Sequence, residues 1–152
     1  MKKMAKWMSR FGIMSKKEFS KFSMTLKKVI YINFKYGERG TRNDYVHRVC
    51  TCVHEHQHAV SPIGYWRYLT SKAYRARKEI RAYKSNIVMK WYLSGYQEPD
   101  IDYYLEALKS YRLKDSQIRK AERSFKALVS QLMRHDLTGV PSVAREAMRA
   151  LK

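Results

Sequence analysis

The stretch from Asp44 to Gly64 constrains the fold more than any other, because two incompatible periods run through it. Cys50, Cys52, His54, His56 and His58 occupy every second position, so on a strand all five would share one face as a metal-collecting ribbon. Val46, Val49, Val53 and Val60 fall instead at offsets 0, 3, 7 and 14, the spacing of an amphipathic helix. Asn43 or Asp44 offers an N-cap, and Pro62 with Gly64 stops the run. The valine period predicts a helix over 45–61 and disfavours the ribbon. On that helix His54 and His58, four residues apart, leave one face about a turn from each other. His56 turns away, and Cys50 reads as a small buried side chain rather than a ligand.

Other segments follow the same kind of reading. Met4, Trp7, Met8 and Phe11, with Lys3, Lys6 and Arg10 between them, predict a short basic amphipathic helix, and "SKKE" from Ser15 fits a capping box opening a second helix to about Phe22. "VIYINF" alternates with strand-favouring residues and predicts one strand of a small sheet within 28–35. Helices are predicted over 71–93, with Ala73, Ala76, Ile80, Tyr83 and Ile87 on one stripe and Gly95 as the stop, then over 99–113 and 115–135. "LTGVPSV" separates a last short helix. The expected fold is α+β: a mostly helical domain with a small N-terminal sheet. It divides into basic N-terminal helices (1–23), a core (24–95) and a C-terminal helical extension (96–152) packed on that core as one domain.

Charge is the outlier in composition. Thirty-two Lys and Arg against thirteen Asp and Glu give +19, so polyanions such as nucleic acid or an anionic membrane surface are expected neighbours. The basic residues cluster: twelve against two acids in 1–43, and eight against one in 67–90, whereas 91–108 holds four acids and no base. Two cysteines one residue apart make no disulfide framework, which implies a reducing, cytoplasmic setting. The N-terminus does not read as a signal peptide, and no apolar run is long enough to span a bilayer.

His54-Glu55-His56-Gln57-His58 is His-Glu-x-x-His, in which two histidines grip one metal ion and the glutamate flanks them as general base. A catalytic zinc needs a third protein ligand and an open position for water. Glu79 qualifies: it is the only acid between Arg67 and Lys90 and lies one turn before Tyr83 on the inward side of its helix. The competing reading pairs it on the surface with Arg75 or Arg81.

The order "VIYINF", "VHEHQH", "YWRYL", "RARKEIRAY" resembles the minimal gluzincin-type metallopeptidase domains of bacterial and phage proteins, over about residues 24–95. The resemblance implies His54, His58 and Glu79 as ligands of Zn2+ and Glu55 as general base, with Ala82 and Tyr83 completing a Glu-x-x-Ala-Tyr motif. Relatives of the thermolysin kind carry an Asp where Tyr83 stands, so the orientation of the first histidine by that residue is not carried over. His56 and Gln57 are unusual but sterically harmless fillers. DNA-linked proteases with the same core use a third histidine; the only later one is distant His135, so that family is set aside.

The expected function is therefore a zinc-dependent metallopeptidase, phage-encoded and acting near nucleic acid in host cytoplasm or virion, on protein or peptide substrates. Residues 28–35 would offer an edge strand for the peptide to join, and Tyr83 or Tyr65 would donate to the developing oxyanion. The alternative is a basic DNA-binding or structural component of a phage assembly that keeps the fold without turnover. In that reading the interleaved Tyr and Arg of "YRARKEIRAYK" serve stacking as well as charge.

Overall fold

The computed structural model describes residues 24–26, 29–32, 34, 40–61, 64–111 and 113–151. The two expected N-terminal helices lie outside the described residues. Two three-residue strands, β1 (Met24–Leu26) and β2 (Val29–Tyr31), pair antiparallel with Met24 opposite Tyr31 and Leu26 opposite Val29. Six helices follow: α1 (Arg42–Val60), α2 (Tyr65–Thr70), α3 (Lys72–Leu93), α4 (Asp102–Ser110), α5 (Asp115–Met133) and α6 (Ser142–Ala150). The chain is mostly helical with a small N-terminal sheet.

The valine period prevails over the Cys/His alternation, and α1 covers every position of both patterns, from Val46 to Val60. Its N-cap is Thr41, not Asn43 or Asp44: the Thr41 hydroxyl accepts from Asp44 N while the Asp44 carboxylate accepts from Thr41 N at 2.8 Å, a reciprocal capping box. Asp44 thus acts three residues further in, where its charge also suits the helix N-terminus. At the other end Ser61 N donates to Gln57 O. Val46 and Val53 enter the core, and Val60 stays exposed.

Ser71 caps α3 by accepting from Tyr74 N, and Gly95 ends it as the sequence predicts. Gly95 sits at φ +76°, where an L side chain is strained, while Tyr96 N donates to Trp91 O and Gly95 N to Tyr92 O. These are the two bonds of a Schellman motif, and the Trp91 and Tyr96 rings close it at 4.8 Å.

Helix α3 is the central element: α1, α2, α4, α5 and α6 all pack on it, and the hairpin packs on α1. One apolar cluster runs from Val46 to Met148 and includes Ile87, Trp91, Leu108, Phe125, Leu132 and Ala144. The C-terminal helices share this core with α1 and α3. At about 1.5–3 kcal/mol per fully buried large apolar side chain, the cluster fixes the α1–α3 pairing on which the site depends. The α3 stripe is narrower than its spacing suggests: Ala76, Tyr83 and Ile87 are buried, but Ala73 is exposed and Ile80 half-buried. No described helix is long and apolar enough to cross a membrane.

Candidate metal centre

Pairing α1 with α3 brings the predicted donors together. His54 Nε2 lies 3.2 Å from His58 Nε2 and 3.4 Å from Glu79 Oε2, and His58 Nε2 lies 3.5 Å from Glu79 Oε1. Glu79 is 1% exposed, so it is no surface partner for Arg75 or Arg81. Zinc bonds of about 2.0–2.1 Å at tetrahedral angles would hold neighbouring ligand atoms about 3.3–3.4 Å apart. The two imidazole nitrogens are close to that edge length apart, and the Glu79 carboxylate approaches each of them through a different oxygen. With one ligand atom from each residue all within 4.8 Å, the three can hold one metal ion.

Two further observations fit a cation at this point. Imidazole nitrogens facing each other at 3.2 Å need a proton or a cation between their lone pairs. Glu79 Oε2 is buried and accepts no hydrogen bond from the described residues, a costly state that a metal ion would relieve. Burial works to raise the Glu79 pKa, but the two facing imidazoles outweigh it and hold the carboxyl below the usual range. The converse holds for His58: burial disfavours its charge, yet the bond to Glu79 and the charges of Glu79 and Glu55 raise its pKa overall.

Residues from outside α1 and α3 hold the donors in place. The Tyr68 hydroxyl on α2 donates to Glu79 Oε1 at 2.6 Å, which leaves Oε2 to face His54. Arg75 in turn fixes Tyr68: its Nε donates to Tyr68 O at 3.0 Å and its guanidinium lies 5.5 Å from the ring centroid. Burial, then the Glu79 charge, push the Tyr68 pKa well up, so the hydroxyl keeps its proton and stays a donor. Supporting hydrogen bonds of this kind orient metal ligands. The aromatic connector "YWRYL" is visible in the sequence, but nothing in it singles out Tyr68 among twelve tyrosines.

Glu55 is buried beside the cluster. The Thr25 hydroxyl on β1 lies 2.8 Å from Glu55 Oε2 and 2.7 Å from Glu55 O, so the hairpin holds the candidate base at both its side chain and its backbone. Burial raises the Glu55 pKa against the opposing effect of the histidines, which makes the carboxylate a better proton acceptor. The Tyr83 ring stands edge-on to His54 with centroids 4.9 Å apart, and burial pushes its hydroxyl pKa up, so it keeps its proton. The Tyr65 side chain lies outside the described residues.

His54, Glu55 and Tyr83 line one cleft of about 510 Å3, walled further on by Tyr104, Lys90 and Asp100. His56 and Cys52 are exposed away from it, and Cys50 is buried with its thiol toward Asn86 O. Gln57 is more than a filler: it is 2% exposed and its Oε1 accepts from the Ser85 hydroxyl at 3.4 Å, bridging α1 to α3. The tyrosines of "YRARKEIRAYK" are occupied: the Tyr74 hydroxyl accepts from Gly64 N, and Tyr83 is buried. Comparisons with protein-family models, with curated proteins and with solved structures returned no match.

Proposed function

We propose that this protein is a zinc-dependent peptidase. The observation that carries the reading is the convergence of His54, His58 and Glu79 within 4.8 Å of one another, with His54 and Glu55 both lining the cleft. Two imidazoles and one carboxylate form a donor set suited to zinc, and three protein ligands leave a fourth position for water. When bound there, zinc supplies Lewis acidity: it brings the pKa of water toward neutrality and polarises a carbonyl. The chain's own groups do the rest. Glu55 accepts the proton of the attacking water and passes it to the departing amine, a task helped by a pKa raised through burial. Thr25 keeps that carboxylate in position through Oε2. Tyr83 lines the cleft, and in this reading its hydroxyl donates to the oxygen of the attacked carbonyl.

Glu55→Gln, assayed for zinc content and for hydrolysis of an unfolded protein substrate, tests the roles separately. Retained zinc with hydrolysis reduced about 10²–10⁴-fold is expected, and His54→Ala should lose both. Equal hydrolysis in Glu55→Gln and the natural protein would overturn the assignment of the base.

A further inference from the structure

The face of α3 opposite the metal centre carries a second feature. Arg77 and Arg81 each lie two residues from Glu79, roughly 200° around the helix, and Lys84 follows on the same side. Together with Lys120, Gln117 and Ser124 of α5 they line a groove of about 450 Å3 that contains no acidic side chain among the described residues. Its floor is Ala73, Ala76 and Ile80, which explains why Ala73 and Ile80 are not in the core. None of the four cations makes an ion pair with a described residue. Lys84 is partly buried and its pKa is lowered by that burial, with no neighbouring carboxylate to offset it.

We propose that this groove binds the phosphodiester backbone of nucleic acid, independently of sequence. Along α3 the three cations span about 10 Å of rise, the length over which one duplex strand presents about three phosphates at about 3.4 Å of axial rise each. Guanidinium groups match phosphate oxygens two at a time, and Gln117 and Ser124 add neutral donors of the sort that contact phosphate and sugar. The apolar floor suits sugar edges. Among the described residues no aromatic side chain lines the groove, so binding there rests on charge rather than on base stacking. Its concavity is wrong for a planar bilayer surface. An acidic polypeptide whose carboxylates alternate with uncharged residues carries its charges less densely than a nucleic-acid strand, and the net charge of +19 draws the denser polyanion more strongly.

This proposal stands apart from the peptidase reading, since the groove and the metal centre use opposite faces of α3. The test is fluorescence anisotropy with a labelled oligothymidylate over a range of salt, on the full chain and on Arg77→Gln/Arg81→Gln/Lys84→Gln/Lys120→Gln. Removing four phosphate contacts should flatten the slope of log K against log salt by about 3 and weaken binding a few hundred-fold at about 0.1 M salt. A control with the same charge change on exposed sites outside the groove, Arg119→Gln/Arg134→Gln/Arg145→Gln/Arg149→Gln, should keep most of the affinity. Circular dichroism of all three proteins reports intact folding and should not change. Equal loss in the control, or tighter binding of polyglutamate than of the oligothymidylate, would overturn the proposal.

Discussion

Tyr68→Phe removes one hydroxyl and keeps the ring on which Arg75 lies, so its effect isolates the 2.6 Å bond to Glu79 Oε1. A hydrogen bond to a charged acceptor contributes about 1.5–3 kcal/mol net. At about 1.4 kcal/mol per tenfold, that corresponds to roughly 10–150-fold in an equilibrium constant. Loss of partners that support metal ligands generally costs about 10–100-fold in affinity, which agrees. The direction follows from geometry: without the hydroxyl, the Glu79 carboxylate is free to turn, and Oε2 no longer has a fixed position against His54. A competition titration of zinc against a chromophoric chelator should therefore give a dissociation constant about 10–100-fold higher for Tyr68→Phe. Unchanged or tighter zinc binding, in a variant with natural circular dichroism, would refute the role given to α2.

The metal-free protein should lose stability as pH rises from about 6.5 through the raised pKa of His58, because a group bound more tightly to its proton when folded stabilises only while protonated. Glu79, whose pKa is depressed, contributes in the opposite sense: its stabilisation is present above its ordinary value of 4.5 and is lost as pH falls through the folded value. Urea midpoints against pH check both, and a stability flat from pH 5 to 9 would contradict the His–Glu coupling. Phe125→Ala, at a position with no exposed surface, should cost about 3–5 kcal/mol in urea unfolding. A loss below about 1 kcal/mol would mean that α5 is not part of the common core.

Local features of the sequence carried most of the helical layout. The valine spacing identified α1, Gly95 marked the end of α3, and the four-residue spacing of His54 and His58 needed only a helix to become a pair of donors. Glu79 was legible from its isolation among bases. Features that depend on distant parts of the chain were not. Met24–Leu26 is too short to show a period, so β1 and its Thr25 contact to Glu55, thirty residues away, left no trace in the sequence. Helix α2 has only six residues and reads as a connector, which hid the placement of Tyr68. Thr41 was passed over as N-cap because Asn43 and Asp44 are equally good capping residues, and only the backbone geometry decides which of them is three places inside the helix. The spacing of the α3 stripe also takes in Ala73 and Ile80, because spacing alone cannot separate a core face from the lining of a groove.

The most direct measurement is metal content and coordination of the purified chain, by elemental analysis and X-ray absorption, alongside Glu79→Ala. One zinc per chain, held by two imidazole nitrogens and a carboxylate oxygen and lost or greatly weakened in Glu79→Ala, is the predicted result. A chain that takes up no zinc, or one that binds it equally well without the Glu79 carboxylate, would contradict the centre assigned to α1 and α3.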